Sequence, residues 1–158
     1  MLNLLNFKIF YGKILLVMKM IIMSVDLGKA RTGIAISDSG ESFAFPKTVI
    51  TEYNTEKLVQ KVTACAKEYG AELIVVGLPK NMDGSEGERA EECREIGKRI
   101  ADSTALEVVM WDERCTTVSA HTALNFTDTR GKKRKAVVDA VAAVIILEDY
   151  LRYRKSNQ

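Results

Sequence analysis

The sequence is poor in the residues that build zinc sites and disulfide scaffolds. Its 158 residues include one histidine, His121, and three widely spaced cysteines, Cys65, Cys93 and Cys115, without a C-x-x-C pair. Structural zinc sites need closely spaced Cys or His ligands, so a zinc module is not expected. Scattered cysteines in an odd number are typical of reduced thiols, and we therefore expect a cytoplasmic protein.

The same scarcity argues against a serine or cysteine nucleophile. The chain has no G-x-S-x-G motif, and Cys115 lies six residues from the only histidine, His121. Six residues correspond to about 240° around a helix, so these two side chains would not share a helix face. A thiol enzyme or a serine hydrolase is not expected.

Proline, glycine and net charge are also low. The chain has 2 Pro and 10 Gly, with 47% apolar and 28% charged residues, which excludes a collagen-like or proline-rich chain and is typical of one globular domain. Lys and Arg number 23 against 21 Asp and Glu, a net charge of +2, so a polybasic protein of the histone type is excluded. Binding to nucleic acid would therefore need a local basic patch.

The N-terminal segment differs from the rest of the chain. Residues 1–25 contain no acid, and four of the six methionines lie at positions 1, 18, 20 and 23. Lysines interrupt the apolar stretch before it reaches the ~20 residues that a membrane-spanning helix needs, so no membrane association is expected. We interpret residues 1–17 as an extension due to a translation start assigned too early, with an extra strand or a membrane-surface helix as the alternative. Residues 18–155 are expected to form a single domain.

Hydrophobic periodicity predicts alternating strands and helices. Apolar runs predict strands over Met20–Val25, Gly33–Ser37, Ser42–Ile50, Glu72–Gly77 and Leu106–Trp111. Helical spacing predicts helices over Asn54–Tyr69, Arg89–Asp102, residues 116–126 and Ala136–Tyr153. Short loops link the first three strands and helices link the later ones. This order predicts an α/β fold with a central mixed five-stranded sheet and helices on both faces.

Acidic residues occur where this pattern predicts burial. Asp26 closes the first strand, Asp112 and Glu113 close the fifth, and Asp139 lies inside the most apolar helix. An unpaired buried carboxylate costs several kcal/mol, so these acids require buried Arg or Lys partners or a metal ion. Strand alternation places Asp112 and Glu113 on opposite faces and does not choose between them.

The residue types favour a hard metal ion over a softer one. No Cys or His accompanies the acids, and an all-oxygen site selects Mg²⁺ or Mn²⁺. Two such ions held by Asp and Glu are the usual equipment for phosphodiester hydrolysis. The acids therefore predict a nuclease site, with structural ion pairs as the alternative.

Four ordered blocks carry a family resemblance. They are VDLGKARTGIAISD at Val25–Asp38, GLPKNMDGSEG at Gly77–Gly87, WDERCTTVSA at Trp111–Ala120 and KKRKAVVDAVAAVIILEDYL at Lys132–Leu151. Together they cover nearly everything after Met20 and resemble the YqgF family. These are Holliday-junction-resolvase-like proteins assigned as pre-16S rRNA nucleases, and they are similar to ribonuclease H in fold.

The resemblance implies a metal-dependent nuclease. Its catalytic and metal-binding acids would be Asp26, Glu113 and Asp139, with Asp112 as a substitute for Glu113, holding two Mg²⁺ or Mn²⁺ ions. The implied substrate is the 5′ end of precursor 16S rRNA in ribosome biogenesis, bound by a monomer or a homodimer. Alternatives are a Holliday junction (branched DNA) resolvase, a non-catalytic RNA-binding assembly factor, and a nucleotide-binding module like the actin-like ATPases, which need two such domains.

Basic and hydroxyl residues near the acids are predicted to contact phosphates. They are Lys29, Arg31, Arg114, Thr116, Thr117 and the stretch Arg130, Lys132, Lys133, Arg134 and Lys135, which precedes the helix of Asp139. A solvated charged surface is the alternative for the stretch, and a helix cap is the alternative for Thr116. Gly84 and Gly87 predict either a mobile loop over the site or a simple turn.

Overall fold

A computed structural model describes residues 19–115 and 132–158, with side chains described from residue 140 onward in the second segment. The predicted extension over residues 1–17 and the predicted helix over residues 116–126 lie outside these ranges. The described strands are β1 (Ile22–Leu27), β2 (Arg31–Ser37), β3 (Ala44–Thr51), β4 (Leu73–Leu78) and β5 (Glu107–Asp112). The described helices are α1 (Thr55–Tyr69), α2 (Glu88–Thr104) and α3 (Lys132–Ser156), and a short 3₁₀ turn spans Glu113–Cys115.

The five strands form the mixed sheet that the sequence predicts, in the order β3-β2-β1-β4-β5. The hairpins β1–β2 and β2–β3 are antiparallel, whereas β4 runs parallel to both β1 and β5. Short loops allow only antiparallel neighbours, and the helices α1 and α2 provide the crossovers that parallel strands need. The carboxyl ends of β1, β4 and β5 therefore meet at one edge of the sheet.

Helices cover both faces of the sheet, as predicted. On one face, Met23 and Val25 of β1 belong to the apolar cluster formed with α1 and α2. On the other face, Ile22 of β1 belongs to a second cluster with α3. Because strand residues alternate between faces, β1 must be apolar at nearly every position, and this explains its continuous hydrophobic run.

Helix α3 begins earlier than the sequence predicts. It starts at Lys132 rather than Ala136, so the basic residues Lys132–Lys135 form its first turn instead of preceding it. Positive charge at a helix N-terminus opposes the helix dipole, which is why this stretch does not look like a helix start. Although α3 has 25 residues, no helix in the described part of the chain is long and apolar enough to cross a membrane.

A buried ion pair ties the end of α3 to the β2–β3 turn. The Glu41 carboxylate accepts hydrogen bonds from Nε and Nη2 of Arg154, both at 3.0 Å, and from the backbone N–H of Met20 at 2.9 Å. The Glu41 side chain is only 6% exposed and that of Arg154 is 21% exposed. One carboxylate therefore joins the start of β1, a hairpin turn and the last helix.

Replacing Glu41 by alanine is expected to lower the free energy of unfolding by about 2 kcal/mol, because it leaves the Arg154 guanidinium without its charge partner. Urea denaturation measures this loss. The matched control is Glu95→Ala, which breaks the exposed pair with Arg99 and should cost about 0.5 kcal/mol or less. Equal losses in the two variants would contradict the importance of the Glu41 pair.

Candidate active site

Two acidic residues lie close together at the edge of the sheet where the parallel strands have their carboxyl ends. Asp26 is the penultimate residue of β1, and Glu113 follows the last residue of β5. The last register pair between β1 and β4 joins Val25 to Val76, so Asp26 comes beside Gly77. The Glu113 carboxylate lies over Gly77 from the other side. Neighbouring strand ends thus bring the two carboxylates to one place.

Gly77 provides the space that the Glu113 carboxylate occupies. A Cβ atom on Gly77 would overlap Glu113 Oε1, and it would lie 2.8 Å from Ile146 Cδ1 and 2.9 Å from Glu113 Cδ. Asp26 is also paired with Gly33 of β2, on the side of β1 that faces away from β4. A glycine inside a strand often marks such a close approach. The position of Gly77 at the end of a predicted buried strand was the sequence signal that could have identified it.

The environment of Glu113 disfavours its negative charge. Burial raises the pKa of Glu113, and the negative charges of Asp26 and, to a smaller extent, Asp112 add to this effect, so that the pKa reaches about 7 although Arg89 opposes the rise. Two neighbouring carboxylates, one of them largely desolvated, repel each other until a cation neutralises them. Their hard oxygen atoms fit Mg²⁺ or Mn²⁺.

The third predicted ligand is positioned by the backbone of α3. Ser24 Oγ donates a 2.6 Å hydrogen bond to the carbonyl oxygen of Ala143, which fixes α3 against β1. Arg154, near the other end of α3, binds Glu41, which also binds the backbone of Met20 just before β1, so α3 runs antiparallel to β1. Asp139 lies four residues before Ala143, towards the start of α3.

The side chain of Asp139 lies outside the described residues. Among the described side chains there is no group of three acidic, cysteine or histidine residues that could hold a metal ion. The described part of the predicted metal site is therefore the pair Asp26 and Glu113. Asp139 as the third ligand stays a prediction.

Asp112 is held away from this pair. Its Oδ2 accepts hydrogen bonds from Nη2 and Nε of Arg114 at 2.6 Å and 2.9 Å, and its Oδ1 accepts one from the Arg114 backbone N–H at 3.0 Å. Hydrogen bonding to Arg114 holds the pKa of Asp112 below its usual range. As strand alternation predicts, Val109 and Trp111 face α3, whereas Val108 and Met110 face α2. By the same alternation, Asp112 belongs to the face of Val108 and Met110, and Glu113 belongs to the face of Val109 and Trp111.

Part of the predicted phosphate-binding set lies at the same edge. Lys29 is exposed in the β1–β2 turn, which the Gly28 N–H closes onto the carbonyl oxygen of Arg31 at 2.9 Å. Arg114 is exposed after β5. Thr116, Thr117 and Arg130 lie outside the described residues, and so do the side chains of Lys132, Lys133, Arg134 and Lys135.

The β4–α2 loop is organised as a turn. Gly84 has φ of 88° and donates its N–H to the carbonyl oxygen of Asn81 at 2.9 Å. Ser85 Oγ donates to Asp83 Oδ1 at 2.6 Å, and the Asn81 N–H donates back to the Ser85 carbonyl oxygen at 2.9 Å. Of the two sequence interpretations of Gly84, turn formation is the one for which the structure gives a physical basis.

Arg89 is a residue near the acids that sequence reasoning missed. It lies in the first turn of α2, a helix whose acidic composition predicts a solvated surface. Its Nη2 donates to the carbonyl oxygen of Leu27, directly after Asp26, and its Nη1 pairs with Glu92. Nothing in the hydrophobic pattern distinguishes this arginine from its neighbours, since the contact joins residues 62 positions apart.

The fold is similar to that of solved RuvC structures. The structure matches a solved structure described as T. thermophilus RuvC in complex with Holliday junction substrate, over 85% of this chain and 96% of that one, with a TM-score of 0.54. A second solved structure, of RuvC from Thermus thermophilus, gives a TM-score of 0.51 over 87% of this chain and 97% of the other. At 13% and 12% identity these matches concern the fold alone. The predicted ribonuclease H-like fold is confirmed.

The chain belongs to the RuvX family. The family model, described as Holliday junction resolvase, matches residues 20–153. A relative from Clostridium botulinum (strain Alaska E43 / Type E3), described as "Putative pre-16S rRNA nuclease", is 43% identical over 130 residues, covering 82% of this chain and 95% of the relative. A relative with the same description from Halothermothrix orenii is 43% identical over 133 residues, covering 84% and 95%. The resemblance seen in the four sequence blocks is confirmed.

In metal-free protein, Glu113→Gln is expected to stabilise the fold above pH 7. The folded-state pKa of Glu113, about 7, exceeds its ordinary value of 4.5. Ionisation therefore costs stability, a cost that is absent below about pH 4.5 and complete above about pH 7. Glutamine imitates the protonated acid, so the gain should be about 1–2 kcal/mol near pH 8 and vanish near pH 4.

Urea denaturation in the presence of a chelator measures this gain. Asp112→Asn is the matched control with the opposite sign, because the lowered pKa of Asp112 stabilises the fold at neutral pH. A Glu113→Gln variant less stable than the wild type near pH 8 would contradict the assigned environment.

Gly77→Ala is expected to displace the Glu113 carboxylate into solvent, because the added methyl group needs the same space. The pKa of Glu113 should then fall towards its ordinary value as burial and the proximity of Asp26 are lost, which carboxyl-carbon NMR titration measures. Gly87→Ala is the control, since the nearest atom to a Cβ there is 4.0 Å away. An unchanged pKa in Gly77→Ala would refute the close approach.

Proposed function

We propose that this chain is a metal-dependent nuclease that hydrolyses phosphodiester bonds in precursor 16S rRNA, at its 5′ end, in the cytoplasm. The observation that carries this proposal is the convergence of Asp26 and Glu113 over Gly77. Buried ionisable groups with strongly shifted pKa values are concentrated at functional sites, so this pair of carboxylates supports a cation-binding site. The relatives from Clostridium botulinum and Halothermothrix orenii, described as pre-16S rRNA nucleases, suggest the proposed RNA substrate.

The acids are proposed to hold two Mg²⁺ or Mn²⁺ ions, with Asp26 and Glu113 as ligands and Asp139 as the third. When bound, such ions lower the pKa of an attacking water and stabilise the leaving oxygen. The chain's own contribution is to hold the carboxylates together and to limit water around Glu113. Because Arg114 engages Asp112, the structure supports Glu113 rather than Asp112 as the ligand from β5.

The first turn of α3 is proposed to bind the substrate's phosphates. Its four basic residues, Lys132, Lys133, Arg134 and Lys135, add positive charge where the helix dipole is already positive. This arrangement costs stability in the free protein, and a bound anion offsets the cost. Together with Lys29, Arg31 and Arg114 they would form the local basic patch that a chain of net charge +2 needs.

Branched DNA is the second candidate substrate. The family is described as Holliday junction resolvase, and one solved structure with the same fold is described as a complex with a Holliday junction. Both substrates present phosphodiester bonds to the same kind of acidic site. The choice therefore depends on which nucleic acid the basic surface accepts.

Asp26→Asn is expected to lower the cleavage rate by about a hundredfold or more, since metal stabilisation is worth several kcal/mol. Binding of the nucleic acid should change little, because the substitution leaves the basic residues in place. A Mg²⁺- or Mn²⁺-dependent assay compares a precursor 16S rRNA 5′ fragment with a four-way DNA junction, and electrophoretic mobility shift measures binding. Asp102→Asn, an exposed position near the end of α2, is the matched control.

Four results would decide between the candidates. Cleavage of the RNA alone supports the proposal, and cleavage of the junction alone replaces it with the second candidate. Wild-type rates in Asp26→Asn would refute the assigned site. Binding without any cleavage in the wild type would indicate a non-catalytic RNA-binding factor.

A further inference from the structure

We propose that Arg89 is a positioning residue that fixes the end of β1, so that Asp26 and Glu113 can hold the same cation. The inference rests on the proposed function, because it concerns the metal that the two acids would bind. Arg89 belongs to neither the predicted acids nor the predicted phosphate-binding residues. Its side chain is 30% exposed, so most of it lies within the protein.

The contact of Arg89 lies where β1 has lost its pairing with β4, although Leu27 is still paired with Thr32 of β2. The register between β1 and β4 ends at Val25, and beyond this point β1 continues for two more residues. The Arg89 Nη2 donates to the carbonyl oxygen of Leu27, the last residue of β1. A backbone carbonyl that leaves a sheet needs another donor, and the guanidinium supplies it. Asp26 is covalently joined to the residue that Arg89 holds.

The other terminal nitrogen of the guanidinium holds Arg89 in place within its own helix. Its Nη1 pairs with Glu92, one turn further along α2. The planar fork of arginine thus makes one hydrogen bond to β1 and one within α2 at the same time, which the single ammonium of a lysine does not reproduce. The end of β1, next to Asp26, is thus bound to a helix that packs on the opposite face of the sheet from α3.

The positive charge of Arg89 and its positioning role predict opposite effects on the strength of cation binding. The positive charge of Arg89 acts on Glu113, and a positive charge near a cation site weakens cation binding by Coulomb repulsion. If charge were the main contribution, removal of Arg89 would strengthen metal binding. If positioning is the main contribution, removal releases the end of β1 and weakens metal binding. The sign of the change therefore separates the two roles.

The test is Mn²⁺ binding to the full chain, followed by electron paramagnetic resonance in the absence of nucleic acid. Arg89→Gln should raise the dissociation constant about tenfold, the usual range for partners that orient metal ligands. The cleavage assay should show kcat reduced about tenfold with KM little changed, since the basic residues are intact. Arg94→Gln is the matched control, because Arg94 lies on the same helix and pairs with Glu86.

A second variant keeps the positive charge but lacks the planar guanidinium. Arg89→Lys should bind Mn²⁺ as weakly as Arg89→Gln, because the ammonium does not hold Leu27 and Glu92 together. Circular dichroism and the thermal midpoint verify that both variants are folded. Tighter or unchanged Mn²⁺ binding in Arg89→Gln, or full recovery in Arg89→Lys, would overturn the positioning role.

Failure of this inference is distinguishable from failure of the proposed function. A wild-type protein that binds Mn²⁺ and cleaves RNA, with an Arg89→Gln variant that does both equally well, refutes the role of Arg89 alone. A wild-type protein that binds Mn²⁺ and cleaves no nucleic acid refutes the nuclease, while weakened Mn²⁺ binding in Arg89→Gln still supports the positioning role. A wild-type protein without affinity for Mn²⁺ refutes both.

Discussion

The repulsion between Asp26 and Glu113 is the constraint on which the site depends. Both carboxylates lie at one edge of the sheet, and burial and mutual repulsion raise the pKa of Glu113 to about 7. Asp112, next along the chain, has its pKa lowered by hydrogen bonds from Arg114, so the two neighbouring acids have opposite pKa shifts. A bound divalent cation would remove the repulsion, so the arrangement that weakens the free protein would provide the affinity for the proposed metal. Gly77 and Arg89 both act on this pair, one by leaving space and the other by holding the backbone.

The architecture explains why distant residues meet at this edge. Parallel strands β1, β4 and β5 end together, and α3 runs back across the face that carries Asp26 and Glu113. The hydrogen bond from Ser24 to Ala143 fixes the level of α3 on the sheet. At the opposite end of the molecule, the buried pair of Glu41 and Arg154 holds the other end of the same helix. The helix that carries Asp139 is therefore fixed at two points.

Much of the fold could be predicted because its strands have strong local signals. The runs in β1 and β4 are buried on both faces, so they appear as continuous apolar segments, and Asn54 and Gly70 cap α1 as their residue types predict. The start of α3 could not be predicted, because its basic first turn opposes the usual helix-start pattern. The predicted helix over residues 116–126 and the predicted extension over residues 1–17 stay predictions.

The sequence by itself determined which acids are unusual and which chemistry suits them. Asp26 and Glu113 stand next to strands that must be buried, and residue type and burial are local properties of the chain. Only the tertiary structure decided that the Glu113 carboxylate lies over Gly77, that Arg114 forms hydrogen bonds to Asp112, and that Arg89 binds the carbonyl oxygen at the end of β1. The contacts of Gly77 and Arg89 join residues far apart in the chain, and Asp112 is held by a neighbour whose side-chain direction the sequence leaves open. The physical reason is that strand pairing and helix packing, rather than local pattern, determine which side chains share a small volume.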